Sequence, residues 1–567
     1  MDALGFELES ETLGALPVVN WFLERLGIEG TLDRFVPHDD ARLRLAPGVV
    51  IGVVLRNILV GHRPVYALSE WAEPFSEAVL GLREGDASAL NDDRVGRMLD
   101  RLFDADRATM ITEVVLGVIR RFDVDVTELH NDSTTVTLTG TIYPGGGEER
   151  GAKTIVKPAF GHNKDFRPDL RQLLFVLTVS ADGAVPIAYR VHDGNTADDI
   201  THIPTWDELT ALVGRPGFLY VADSKLCSKE AMDHIASHHG RFVTIVPHGR
   251  KEDTWFRNWA QTHAPTWVEA ERHRGARLGD PDEVWRTFEA PVPSTDGYRV
   301  IWVHSSIKAA RDAQARAARV EKGLAAIDEI ASRLTSPKSR IKTLVAAQEA
   351  ARAALAGVGA TRWVGFSVAE SLEETFTQEK RGRPGSETRY RKHKKAVFTI
   401  GAKVEPEAVS FDAATDGCFP LVTNDKKMTP AAVLAAYRYQ PNLERRHHML
   451  KGPQAVAPVF LENPHRIEAL LTCHFLAMVT EAIIEREIRA SMKAEGLTGI
   501  ELYPELRNCP APSAPRIFEI FSGVQRHRLV DDDQVIKVFE PKLTTVQEKV
   551  LDLLHVPHSV YTQATQP

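Results

Sequence analysis

The sequence predicts an α+β protein whose mixed sheet is interrupted by a long inserted module, and three observations carry that reading. Helical periodicity dominates residues 1–125. Strand-like runs replace it over 126–250, where runs suited to antiparallel pairing are followed by helix, strand, helix and strand. After 251–415, which follows neither pattern, a strand and three helices resume over 416–504. Residues 505–567 form a C-terminal tail of mixed pattern with one helix candidate at 545–554.

Bulk properties bound the class. A chain of 567 residues is expected to hold about two to four domains. Its 43% hydrophobic and 26% charged content is that of a soluble globular protein. A formal net charge of -8 excludes a globally basic nucleic-acid binder, so any such partner needs local basic patches. The cysteines, Cys227, Cys418, Cys473 and Cys509, are far apart with no CxxC pair, which argues against a zinc ribbon or a disulfide framework. No secretory signal is visible at the acidic N-terminus. The apolar runs at 49–54 and 469–484 fall short of the roughly 18–20 clean apolar residues of a membrane span, so they read as buried helices. The expectation is a cytoplasmic protein with no membrane partner.

Each segment has its own grounds. In the N-terminal block, apolar residues recur at helical spacing over 17–26, 47–60, 65–77 and 93–122, with Asn91-Asp92-Asp93 as an N-cap cluster. Arg56, Arg63, Arg94, Arg97, Arg101, Arg120 and Arg121 make it a candidate DNA-binding domain; ordinary solvated arginines are the competing reading. Residues 127–132 and 135–139 alternate or run β-branched. Pro144-Gly145-Gly146-Gly147 is a loop without the helix and Lys-Ser/Thr of a phosphate loop. Runs at 173–180 and 185–191 flank Asp182-Gly183, a hairpin turn signal. A helix at 198–213, a strand at 218–223, a helix at 228–239 and a strand at 241–247 complete the order of a ribonuclease H-like core. In the insertion, strands are expected at 284–288, 298–303, 361–368 and 396–404. A helical hairpin is expected over 307–355, broken at Thr335-Ser336-Pro337. Residues 380–395 carry eight Lys/Arg and one acid around Gly382, Pro384 and Gly385. This reads as a flexible basic loop, with Lys380, Arg381, Arg383, Arg389, Arg391, Lys392, Lys394 and Lys395 as candidate DNA contacts.

The chemistry concentrates in Tyr437-Arg438-Tyr439-Gln440-Pro441-Asn442-Leu443-Glu444-Arg445-Arg446-His447-His448-Met449-Leu450-Lys451. Glu444 and Lys451 are seven residues apart, close to two helical turns, and should share a helix face. With Arg445 and Arg446 adjacent, they suit a metal-bound phosphodiester. One carboxylate cannot hold a catalytic divalent ion. Two strand-like runs each end in an aspartate, Glu128-Leu129-His130-Asn131-Asp132 and Phe218-Leu219-Tyr220-Val221-Ala222-Asp223. The expectation is that Asp132, Asp223 and Glu444 converge on one site. Magnesium takes hard oxygen ligands and keeps waters, so three carboxylates suffice, and a pair of such ions activates a nucleophile while stabilising a leaving oxygen. Lys225 is a further candidate phosphate contact. His447-His448 is not expected to ligate metal, because adjacent helical residues diverge by about 100°.

These segments together resemble the DDE transposases of bacterial insertion sequences, the group marked by a Tyr-x2-Arg-x3-Glu-x6-Lys signature. The resemblance rests on His130-Asn131-Asp132-Ser133-Thr134-Thr135-Val136, on residues 161–198, on the Asp223 run through Leu226, on the strand from Asp416, and on Tyr437, Glu444 and Lys451. It implies an RNase H-like fold interrupted between the second aspartate and the glutamate. It also implies cleavage at transposon ends with magnesium, for which manganese can substitute, and attack of the freed 3′-OH on target DNA. It further implies a homodimer on paired terminal inverted repeats of double-stranded DNA. By position, Asp132, Asp223 and Glu444 are the implied metal ligands, and Tyr437 and Lys451 the implied phosphate contacts. The chain departs from the signature at Gln440, where arginine is expected; glutamine brings no charge and no bidentate fork. Pro441 disfavours α geometry at Gln440, so Tyr437 is expected to end one helix and Glu444 to belong to another. The alternatives are an RNase H-fold nuclease without strand transfer and a catalytically inactive, domesticated DNA-binding protein.

Overall fold

The computed structural model describes residues 6–562 apart from 39–43, 141, 276–278, 337–338, 455, 457–460, 506 and 532–533; the N-terminal residues 1–5 and Pro337 thus lie outside it. The chain divides into two compact units, one made of 1–244 with 435–567 and the other of 245–434.

Among the described residues of the first unit, the strands Pro186–His192, Arg171–Ser180, Glu128–Leu138, Leu219–Ala222 and Arg241–Ile245 lie side by side in that order. The first three pair antiparallel and the last three parallel, the order and directions of a ribonuclease H-like core. The sequence expected two separate runs at 127–132 and 135–139. They are one strand, because Ser133 and Thr134 stay in register opposite Val176 and Phe175. Asp132 therefore sits inside a strand and not at its end. The expected turn is present, with Gly183 at φ 78, where a Cβ would meet the Arg486 side chain at 2.9 Å.

The sheet packs on the helix Pro464–Ala494. Tyr189 stacks between Phe175 and Phe475, ring centroids 5.5 and 4.6 Å away, and its hydroxyl bonds Thr472 Oγ1 at 2.7 Å. This helix is long and apolar enough to cross a membrane, but 94% of its most apolar window is buried inside the protein. The N-terminal helices lie against it, held by Arg466 and His465 on the Asp100 carboxylate at 2.7–2.8 Å. Arg56, a candidate phosphate contact by sequence, is buried and bonds Glu29 at 2.6 Å and Asn20 at 2.8 Å, a packing role. Reading 1–125 as mostly helical missed the strand Phe6–Thr12, which pairs with Gln525–Asp531, itself paired with Gln534–Phe539. The strict alternation Phe6-Glu7-Leu8-Glu9-Ser10-Glu11 was the signal for it.

The same long helix carries a buried acid with a measurable consequence. Glu481 is fully buried and accepts from Gln454 Nε2 at 2.7 Å; burial and the nearby Glu485 charge push its carboxyl up to about 8. The folded state then keeps a proton that the unfolded chain releases above its ordinary value of 4.5. The sign follows: stability is highest below 4.5 and falls as pH rises toward 8. Glu481→Gln should flatten that slope and raise stability at pH 7 by about 3 kcal/mol at most, read from urea melts across this window. An unchanged slope would show that Glu481 ionises normally.

In the second unit, Cys418–Thr423, Arg299–Ser305, Glu283–Glu289 and Val268–His273 are neighbouring antiparallel strands. The helices Ser306–Thr335 and Leu344–Gly357 form the expected hairpin. Ile327, Ala351, Leu355, Ala360 and Val364 make its small core. Gly323 is required there, since a Cβ would lie 2.6 Å from that of Ala360. The strands expected at 361–368 and 396–404 are parts of a longer ribbon, Val364–Gln378 against Tyr390–Val404. Arg391, Lys392, Lys394 and Lys395 therefore belong to a strand, and the basic loop is confined to its tip. Exposed, charged strand residues such as Glu373 opposite Lys395 concealed the extension from a hydrophobicity reading.

Candidate active site

Two carboxylates are set by strand register. Asn131 pairs with Ala222 in the parallel ladder, so Asp132 and Asp223 are the next residues along two neighbouring strands. Asp223 ends its strand as the cap of the turn Ser224–Leu226, accepting from the Lys225 N–H at 2.9 Å, while its carbonyl accepts from Thr244 Oγ1 at 2.6 Å. Asp132 shares a face with His130 and Glu128, two residues apart along the strand. His130 Nε2 lies 2.8 Å from Glu128, and its ring packs on Tyr439 at 4.8 Å.

The third carboxylate comes from a helix. As Pro441 predicts, one helix ends at Tyr437 and the next, Gln440–Lys451, starts with that proline in its first turn. Leu443, Met449 and Leu450 bury one face. Glu444, His447 and Lys451, at i, i+3 and i+7, form a stripe toward the Asp132 strand. His447 Nδ1 is 3.6 Å from Asp132 and Lys451 Nζ is 2.5 Å from Asp165.

Electrostatics tie the three carboxylates together. Burial pushes Asp132 up to about 6; the Lys164 ammonium pulls it down, and the charges of Asp223 and Glu444 push it up. Burial, then Asp223, Glu444 and Asp132, push the Tyr437 hydroxyl up to about 12, placing it in the field of all three. His447 is held down to about 3 by burial and by Lys164 and Lys451, so it is a neutral imidazole at physiological pH.

Gln440 opens the helix with its side-chain oxygen buried and lacking a hydrogen-bond partner among the described residues. Arg445 and Lys225 are exposed. Arg446 turns inward: it donates to the carbonyls of Ala184 and Gly183, each at 3.0 Å, and pairs with buried Glu485 at 3.0 Å. The basic residues 380–395 are exposed on the ribbon of the second unit, where Lys392 pairs with Glu374 across the strands at 2.5 Å.

The polar loop at 162–170 packs on the strand that carries Asp132. Lys164 Nζ donates to Ser133 O and Oγ at 2.6 and 2.7 Å, and lies 3.3 Å from Asp198 and 3.8 Å from Asp132. Asp165 bonds Thr137 at 2.8 Å. The only sequence signal for this arrangement was the density of polar residues in Gly161-His162-Asn163-Lys164-Asp165.

The donors are the hard carboxylate oxygens that magnesium or manganese prefers, and their mutual repulsion is what a divalent ion relieves. Asp132, Asp223 and Glu444 match such an ion in the chemistry of their donors. Among the described residues, no three His, Cys, Asp or Glu side chains are gathered closely enough to hold a metal as they stand.

The profile of a domain of unknown function, DUF4277, matches residues 8–116. No curated protein matches the chain. Among solved structures, the chain is similar to a piggyBac transposase in a synaptic complex with hairpin DNA, at 11% identity and TM-score 0.25, covering 50% of this chain and 60% of that one. It is also similar to the Mos1 mariner paired-end complex with Mn, at 10% identity and TM-score 0.15, covering 37% of this chain and 61% of that one. The chain thus spans less than two thirds of the length of either.

Proposed function

We propose that this protein is a DNA transposase that cleaves transposon ends and joins the freed 3′-OH to target DNA. The observation that carries the reading is the placement of Asp132 and Asp223 at adjacent register on parallel strands, with Glu444 on the helix beside them and all three electrostatically coupled. The partner is double-stranded DNA bearing terminal inverted repeats, and the working form a homodimer on paired ends. Asp132, Asp223 and Glu444 would hold magnesium, with manganese as a substitute. When bound, such ions activate the attacking oxygen and stabilise the leaving one. The chain's own residues do the rest. Lys451 and Tyr437 contact phosphate beside the cut, Lys451 exchanging Asp165 for the DNA. Gln440 donates one neutral hydrogen bond where a charged fork is expected, which leaves less positive charge at the end. His447, neutral and buried, backs Asp132 without adding charge.

The test is an in vitro joining assay with the protein, Mg2+, a duplex carrying the inverted repeats that flank its coding region, and supercoiled target. Cleaved ends joined to the target support the reading. Cleavage without joining would assign an RNase H-fold nuclease, and binding without cleavage an inactive DNA-binding protein.

The basic ribbon gives a second expected result. Replacing Lys380, Arg381 and Arg383 by alanine should weaken binding to all sequences alike. It should also lower the slope of log K against log salt by about 2–3, roughly one for each phosphate left without its cation. A salt slope equal to that of the wild type would remove the ribbon tip from the DNA interface.

A further inference from the structure

The carboxylate cluster contains a cation of its own. The Lys164 ammonium is held on two sides by Ser133, whose carbonyl and hydroxyl accept at 2.6 and 2.7 Å, and on a third by Asp198 at 3.3 Å. Its backbone N–H is fixed as well, donating to Thr135 Oγ1 at 3.2 Å. Three anchors on the ammonium and one on the backbone hold this flexible residue in one place, and that place is 3.8 Å from the Asp132 carboxylate. Lys164 retains only 29% of its side-chain exposure there and Asp198 only 19%. A lysine serving only to pin the loop has no need to lie beside a carboxylate on which the charges of Asp223 and Glu444 also act.

We infer that Lys164 is a tethered counter-cation of the site, a positioning residue that offsets the repulsion among Asp132, Asp223 and Glu444 before a divalent ion binds, and that Asp198 is the anchor that keeps it from closing on Asp132. The inference rests on the reading of Asp132, Asp223 and Glu444 as the metal-holding set. Its physical content is competition: a fixed positive charge beside Asp132 opposes an incoming cation, so the protein's affinity for the ion is set lower than its carboxylates alone would give. Asp198 acts in the opposite sense. It draws the ammonium to the side, and without it Lys164 leans wholly on Asp132.

The two residues therefore make opposite predictions, which a shared structural role cannot. Full-length protein without DNA is titrated with MnCl2, and free Mn2+ is followed by electron paramagnetic resonance; circular dichroism checks the fold. Lys164→Gln should tighten Mn2+ binding by about fivefold or more, and Asp198→Asn should weaken it several-fold. Lys164→Gln combined with Asp198→Asn should lose the Asp198→Asn defect, because the lysine it releases is gone. Unchanged affinity in Lys164→Gln, or shifts of the same sign in both single variants, overturns the inference while leaving the metal site intact. Should one variant fail to fold, the sign of the other still decides. Absence of Mn2+ binding in the wild type, unaltered by Asp132→Asn, overturns instead the metal-site reading, and this inference with it.

Discussion

On the proposed transposase reading, Asp132→Asn, Asp223→Asn and Glu444→Gln should each lower cleavage of a transposon-end duplex by on the order of a thousandfold or more, about 4 kcal/mol of transition-state stabilisation. DNA-end binding should stay within about twofold, because none of the three carboxylates attracts phosphate. Each amide keeps the volume of the acid it replaces and removes one like charge from a cluster in which burial and neighbouring carboxylates already push Asp132 up to about 6. Stability should accordingly be equal or slightly higher, which separates a chemical defect from a folding one. A cleavage gel, a band shift and a urea melt on the same preparations decide it. Near-wild-type cleavage by any of the three removes that residue from the site.

The second large effect lies one residue from the first stripe. Arg446→Ala should cost on the order of 3 kcal/mol of folding stability, since it removes one of two arginines from Glu485, a carboxylate at 1% side-chain exposure, and leaves Arg489 at 3.3 Å as its remaining ion-pair partner. It also leaves the carbonyls of Gly183 and Ala184 without their donor. Arg445→Ala, exposed on the same helix, should change stability by no more than about 0.5 kcal/mol and act on DNA affinity instead. Arg446→Met with Glu485→Leu should recover only the part of the loss that comes from the buried charge, because the carbonyls of Gly183 and Ala184 stay without their donor. Urea unfolding of the four proteins reads all of this. If Arg446→Ala folds as well as the wild type and only DNA binding suffers, the inward assignment is wrong.

Neighbouring arginines with opposite assignments mark where sequence reading stops. A 3.6-residue repeat says that positions 445 and 446 differ by about 100° in direction, but not which direction faces protein. The partner that decides, Glu485, is far along the chain on the Pro464–Ala494 helix. The same holds for the ribbon at 364–404. Its strands carry charge on both faces, so only pairing between them, and no apolar period, reveals their length. The strand Phe6–Thr12 alternates visibly, yet the partner that makes it a strand lies at 525–531.

Features that obey local rules were legible in the chain before any packing is considered. Alternating and β-branched runs foretold the strand order of the core. Asp182-Gly183 marked the hairpin, and Pro441 marked the break between the Tyr437 and Glu444 helices. The helical period put Glu444 and Lys451 on one stripe, which the structure aims at the Asp132 strand and the 162–170 loop. Which polar side chains share a place was settled by tertiary packing instead. Parallel register set Asp132 beside Asp223. Packing turned Arg446 inward, brought His447 to 3.6 Å from Asp132, and laid the 162–170 loop so that Lys164 stands between Asp132 and Asp198. Polar residues carry no period that announces their partner. A lysine reads the same in solvent as in an acid cluster until chain segments distant in sequence meet around it.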